Sequence, residues 1–302
     1  MVAAVNAQRR GLLWIAAGGA VAGLVRSQRI AAAGSALYRN QLIDNGALGT
    51  NADETAQGGA AGCCPIVELR QYTLHARRFD AFVALFEREF IESQEAAGIT
   101  VIGQFRDLDD PDRFVWLRGF PDMTSRAQSL EAFYGGALWR SLREEANANF
   151  IDTDNVLLLK PVNPDATFSL GQMQRAPPGS VTTTRRLVVA TVWSIDPTDA
   201  AAFAHWFERH VKPALADAGI ALTAWLVTES ARNTFPRLPV REGEQVLVWV
   251  ATFVDRQSGE AMWRKLRESP PWRKATAPEL QRRLKGAPQM LRLEPTARSL
   301  LR

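Results

Sequence analysis

The chain has 302 residues, 46% of them hydrophobic and 23% charged, which fits a soluble globular protein of one large or two ordinary domains and excludes disordered and fibrous classes. Its net charge of +4 is exceeded by Arg9, Arg10, Arg26, Arg29 and Arg39, all ahead of the first acidic residue, Asp44. The remainder is near neutral, and a nucleic-acid-binding surface is not expected. The adjacent Cys63 and Cys64 give no disulfide framework, and His205 and His210 stand five apart rather than at the i, i+4 spacing of two ligands on one helix face. Neither a protein metal site nor a cofactor is therefore expected.

Gln8-Arg9-Arg10-Gly11 opens an uncharged run ending at Val25, short for a membrane span but of the length of a signal-peptide core, with paired arginines that loosely resemble a twin-arginine leader. A cytoplasmic location is the expectation, export through such a leader the alternative, and an integral span is not expected. Asn45 to Gly62 is rich in Gly, Ala, Asn and Thr without apolar period and reads as linker, so 1–62 forms one leader-and-linker segment.

Ile66 to Leu74 alternates as a strand, and Phe79, Phe82, Val83, Phe86 and Phe90 then recur at helical spacing up to Gly98. Ile99 to Leu108 and Phe114 to Phe120 flank the turn Asp109-Asp110-Pro111-Asp112 as a hairpin. Asp122 is placed to cap a helix that Gly135-Gly136 interrupts, and Val156 to Pro161 gives a fourth strand. After a linker at Asn163 to Thr184 the order recurs: strand Arg186 to Ile195, helix to Asp217 with a kink at Pro213, and strands Ile220 to Ser230 and Gln245 to Val254. A helix broken at Pro270-Pro271 and a strand Gln289 to Pro295 complete it.

The recurrence is internal. Phe86-Glu87-Arg88 and Ala97-Gly98-Ile99 return as Phe207-Glu208-Arg209 and Ala218-Gly219-Ile220 (207 − 86 = 121; 218 − 97 = 121). Trp116, Phe120, Asp122 and Trp139-Arg140 return as Trp249, Phe253, Asp255 and Trp272-Arg273 (249 − 116 = 133; 272 − 139 = 133), so twelve residues are inserted in between (133 − 121 = 12). Each repeat runs strand, helix, strand, strand, helix, strand, the ferredoxin-like order. The expected fold is α+β: two tandem ferredoxin-like units, 64–162 and 185–296, joined by a linker at 163–184 and followed by a tail at 297–302, closing an intrachain dimeric α/β barrel. Ile66 to Pro161 carries 11 basic and 16 acidic residues (11 − 16 = −5) and Arg186 to Pro295 carries 16 and 12 (16 − 12 = +4), signs that suit two docking halves.

Val67-Glu68-Leu69-Arg70-Gln71-Tyr72-Thr73-Leu74, Ile102-Gly103-Gln104-Phe105, Phe114-Val115-Trp116-Leu117-Arg118-Gly119-Phe120 and Asn155-Val156-Leu157-Leu158 resemble the NIPSNAP family, whose fold belongs to the dimeric α/β-barrel group. Where such proteins often have Pro-Gly after the first strand, this chain has Ala76-Arg77. The resemblance implies the fold. Family members are linked to mitochondrial and vesicle-trafficking roles in animals, and bacterial members mostly lack an assigned activity.

Strand alternation separates an aliphatic face (Leu69, Val101, Phe105, Val115, Leu117, Val188, Ala190, Val192, Leu222, Leu226, Val248, Val250), expected under the helices, from a second face expected inside the barrel. That second face holds Arg70, Tyr72, Gln104, Arg106, Trp116 and Arg118, with Thr191, Trp193, Trp225, Val227 and Trp249. Arg70, Tyr72, Gln104, Arg106, Trp116, Arg118, Trp193, Trp225 and Trp249 are the candidate ligand-binding set, because guanidinium groups pair with carboxylates and stack on rings. A filled barrel in which the tryptophans are core stands beside that reading. The functional expectation is a non-catalytic binding or interaction protein taking a flat or anionic small molecule, with a small molecule or protein as partner and homo-oligomerisation left open. The alternative is a cofactor-free or haem-degrading monooxygenase of the same fold group. No catalytic residue is assigned: no nucleophile elbow occurs, and Gly18-Gly19 is not a phosphate loop.

Overall fold

A computed structural model describes residues 63–181 and 185–302, and the leader expected within 1–62 lies outside the described residues. Repeat 1 comprises β1 (Ile66–Leu74), α1 (Phe79–Leu85), α2 (Ile91–Ala96), β2 (Thr100–Asp107), β3 (Arg113–Phe120), α3 (Met123–Tyr134), α4 (Ala137–Asn147) and β4 (Phe150–Pro161). Repeat 2 comprises β5 (Leu187–Ser194), α5 (Ala200–Trp206), α6 (Lys212–Asp217), β6 (Leu222–Thr228), β7 (Val246–Phe253), α7 (Arg256–Glu268), α8 (Ala277–Arg283) and β8 (Gln289–Pro295). The local signals act where expected. Asp122 and Asp255 accept from Ser125 N and Ser258 N at 2.7 Å, capping α3 and α7. Gly98 and Gly219 end their helices in the left-handed region at φ +86° and +93°.

The strands close in the order β1-β3-β2-β8-β5-β7-β6-β4. Each half contributes its own strands in the order fourth, first, third, second, and the two seams join the second strand of one half to the fourth of the other. Phe105 pairs with Pro295 across one seam and Leu226 with Pro161 across the other, so the two seams are built alike. This closure leaves neither sheet with a free edge to satisfy elsewhere.

The twice-written Phe-Glu-Arg stretch serves those seams. Phe86–Phe90 and Phe207–Val211 are both π-helical, a local widening that sits between α1 and α2 and again between α5 and α6. Pro213 is the second residue of α6, just after that widening, so the kink expected there is a switch from π to α geometry. Glu87 accepts from Thr296 Oγ1 at 2.7 Å and from Arg298 N at 2.9 Å, just beyond the last strand of the other half. Glu208 likewise receives Asn163, just beyond β4, and Trp225 Nε1 at 3.1 Å. Opposite charge also crosses the halves: Asp109, Glu131 and Glu92 of repeat 1 meet Arg292, Arg237 and Arg298.

The barrel interior is aliphatic. Val67, Leu69, Val115, Leu117, Leu157, Leu159, Val188, Ala190, Val192, Leu226, Val248, Val250, Leu291 and Leu293 form one cluster drawn from both halves and free of helix residues. Phe168 and Leu170 of the segment read as linker join it, as does Leu301 of the tail, so both segments pack on the barrel. Cys63 and Cys64 form a vicinal disulfide that encloses no loop of the chain, and Gly119 leaves room for the Cys64 sulfur.

The assignment of faces is therefore inverted from the expectation. Two matching β-bulges also shift parity, between Val101 and Gly103 and between Leu222 and Ala224, which moves Val101 and Leu222 out of the aliphatic set and under the helices.

Candidate functional site

The residues expected inside the barrel lie on its outer face, in the layers between sheet and helices. Tyr72 and Trp116 pack with Phe82, Phe86 and Phe90 under the repeat 1 helices, while Trp193, Trp225 and Trp249 pack with Phe203 and Phe207 under those of repeat 2. The physical reason is width. A closed eight-stranded barrel has just enough interior for small branched side chains, whereas the wider space beneath a helix accepts rings and guanidinium groups. Arg106 leaves the set altogether: it lies at the barrel rim, over the Phe79 ring and paired with Asp80. The two halves' aromatic and arginine residues thus do not face each other across one cavity.

What comes together instead is a charged centre in repeat 1. Glu68, Arg70 and Arg118 project from β1 and β3 toward the helices, and Arg126 reaches them from α3; none is more than 1% exposed. Cross-strand register sets Glu68 opposite Arg118 and Arg70 opposite Trp116. Arg70 Nη1 lies 2.5 Å from Glu68 Oε2, Arg118 Nε donates to the same oxygen at 2.8 Å, and Arg126 Nε donates to Oε1 at 2.6 Å. Arg70 Nε also donates to Tyr72 Oη at 2.8 Å, and Arg118 Nη1 reaches Gln94 Oε1 at 3.4 Å. Arg126 Nη1 donates to Asn233 Oδ1 at 3.0 Å and Thr234 Oγ1 at 3.2 Å.

Asn233 and Thr234 belong to the stretch inserted in repeat 2 between β6 and β7, so that insertion closes the centre of the opposite half. Phe235 of the same loop stacks on Tyr134 at 6.0 Å, and Thr234 Oγ1 donates to Met123 O at the start of α3.

Three guanidinium groups share one carboxylate. Burial pushes the Glu68 carboxyl up, but the pull of Arg118, Arg70 and Arg126 outweighs it and holds the group well below the usual carboxylate range. Burial depresses the Arg126 guanidinium, Glu68 restores only part of that, and Arg118 and Arg70 depress it further. The buried centre thus carries an excess of positive charge, an arrangement costing several kcal/mol per uncompensated charge.

Several buried polar atoms beside it have no hydrogen-bond partner among the described residues: Arg126 Nη2, Trp116 Nε1 and both polar atoms of the Gln104 side chain. Arg118 Nη2 stands 2.8 Å from Glu68 Oε2 without hydrogen-bond alignment. Gln104 and Trp116 are cross-strand partners on the same face as Arg70 and Arg118, so these donors and acceptors share one patch of sheet. Arg126, Gln94 and the insertion loop escape a strand-parity reading because they sit on other elements. The one sequence signal for Arg126 was its place in the first turn of the helix capped by Asp122.

The histidines stand apart from both layers: His75, His205 and His210 are all exposed. Among the described residues no helix is long and apolar enough to cross a membrane.

Comparison with known proteins bears on repeat 1 most directly. The NIPSNAP family model matches residues 67–164. A NIPSNAP domain protein from Burkholderia xenovorans is 16% identical over 32% of this chain and 93% of its own, with a TM-score of 0.30. A NIPSNAP family protein from Agrobacterium tumefaciens is 22% identical over 32% of this chain and 86% of its own, also at 0.30. Across both repeats, a candidate monooxygenase from Lactobacillus acidophilus covers 78% of this chain and 97% of its own at 12% identity, with a TM-score of 0.48. No curated protein matches the sequence. Residues 67–164, the half of the barrel that holds the arginine–glutamate centre, thus match the NIPSNAP family model, in a chain whose second half has the same element order.

Proposed function

We propose that the protein is a non-catalytic binding protein whose ligand is a small acidic molecule, held between the sheet and the helices of repeat 1 rather than inside the barrel. The observation that carries this reading is the imbalance of three buried arginines against one buried carboxylate. A bound carboxylate or similar anion would supply the missing negative charge, and guanidinium forks suit it by geometry as well as charge. The unpartnered Arg126 Nη2, Trp116 Nε1 and Gln104 amide would supply its hydrogen bonds. The ring of Trp116, with Arg70 and Arg118 within 5.7 Å and 5.0 Å of it, would receive a flat portion of the molecule. Entry requires the β6–β7 loop to lift from α3, since Asn233 and Thr234 cap Arg126.

Thermal denaturation at matched ionic strength tests the reading, comparing chloride, phosphate and succinate on the full chain and on Arg126→Met. A ligand that binds only the folded state raises Tm with its concentration. At least one of the acids is expected to raise the wild-type Tm well beyond chloride, with the rise lost in Arg126→Met. Identical shifts in both proteins would count against the proposal.

A further inference from the structure

The same layer in repeat 2 is built from different residues and opens to solvent. A pocket of about 180 Å³ lies between α7 and strands β5 and β8, with Leu187, Val189, Trp263 and Met290 as its apolar lining. Val189 occupies the position that Glu68 holds in repeat 1 (68 + 121 = 189), so the floor is apolar where the other half is charged. Arg256, Arg267 and Arg292 stand at its rim with Glu260. Arg292 is already engaged, its Nε donating to Asp109 Oδ2 at 2.8 Å. Arg256 acts on the same aspartate through space. Asp107 also acts on Arg292, so these carboxylates answer Arg292 and Arg256, and Arg267 is the cation of the lining that has no ion pair among the described residues.

Behind the pocket, Trp263 packs on Trp249 at 5.6 Å, and Trp249 pairs with Thr191, which pairs in turn with Met290 of the lining. Trp249 Nε1 and Thr191 Oγ1 are both buried without a hydrogen-bond partner. The cross-strand row that ends at the pocket therefore carries two unanswered polar atoms.

From this we infer that repeat 2 has a second binding site, separate from the centre in repeat 1, for a small monocarboxylic acid with a ring-sized apolar body. The volume decides the size, since a cavity of roughly 150 Å³ accepts a benzene-sized molecule. The lining decides the character of the body, which lies against the Trp263 ring and Met290. The single unanswered charge decides the head group, a carboxylate directed at Arg256 and Arg267. This inference does not rest on the proposed function of repeat 1.

Benzoate is the probe, followed by saturation-transfer NMR and titration calorimetry on the full chain, with benzyl alcohol and acetate for comparison. Benzoate is expected to bind at least about tenfold more tightly than either, as a charge-assisted contact adds to ring burial. Met290 is 40% exposed, so Met290→Trp fills the pocket without disturbing the core, and in an Arg126→Met background it is expected to abolish benzoate binding. Arg256→Gln with Arg267→Gln should bring benzoate down to the level of benzyl alcohol. In Arg126→Met, which silences the centre in the other half, benzoate should still bind in this pocket. The inference is overturned if benzoate fails to bind Arg126→Met, or if its binding to Arg126→Met survives the addition of Met290→Trp.

Discussion

Glu68, Arg70, Arg118 and Arg126 of repeat 1 correspond through the duplication to Val189, Thr191, Ala251 and Gly259 of repeat 2, and Gln94 and Gln104 correspond to Leu215 and Trp225. The backbone plan, the π-helical widening, the β-bulge and the capping aspartate are kept in both halves, while every charged member of the centre is replaced by an apolar or small residue. Barrel closure accordingly needs only what the halves share: aliphatic interior strands, paired seams and the Glu87 and Glu208 clasps. The arginine–glutamate centre is dispensable to the fold, because repeat 2 builds the same layer without it. Its presence in repeat 1 therefore calls for an explanation outside folding.

The contrast breaks most sharply at Glu68. Glu68→Gln leaves three buried guanidinium groups with no carboxylate and is expected to cost about 3–5 kcal/mol in urea denaturation. The equivalent Val189→Ala should cost about 2 kcal/mol or less. The same residue makes the wild type acid-sensitive. Its folded carboxyl is held below the unfolded value of about 4.3, so the stabilisation is complete above that pH and is lost as pH falls beneath it. A urea midpoint that did not decline below that pH more steeply than in Glu68→Gln would argue against the ion cluster.

Phe235→Ala comes next, at about 2–3 kcal/mol, because it removes the ring that seats the inserted loop on Tyr134. Faster hydrogen exchange in α3 should accompany it. Arg126→Met should fall within about 1 kcal/mol of the wild type when no anion is present, since it removes a cation from a centre that has too many. Arg77→Gly is the smallest effect and of opposite sign. Arg77 holds φ +64° at the turn where NIPSNAP proteins often carry glycine, and relief of that conformation should stabilise the protein by up to about 1 kcal/mol.

Much of this was legible in the sequence because it is periodic or local. Alternation placed β1 and β8 at their observed bounds, and the element order read along the two offsets recurs in both halves of the barrel. Alternation also separated the two faces of each strand, but parity states only that the faces differ. Which one closes inward depends on the width of the barrel against the width beneath the helices, a property of the assembled sheet. Val101 and Leu222 lie under the helices, where they were expected, but only because bulges that no residue type announces reverse their parity relative to the rest of that face. β4 begins at Phe150, six residues before the apolar run, because Asp152 and Asp154 interrupt its alternation with exposed charge. The docking of Asn233 and Thr234 on Arg126 joins positions more than a hundred residues apart, and composition marked that stretch only as a loop.

The central claim is that repeat 1 holds buried positive charge that an anion answers, whereas the matching layer of repeat 2 has none. Crystals soaked in bromide, with diffraction recorded at its absorption edge, test this most directly. An anomalous peak is expected beside the free Nη2 atom of Arg126 and near Trp116 Nε1, and none between Ala251 and Gly259. An ordered water on Arg126 Nη2 with no bromide beside it would contradict the account.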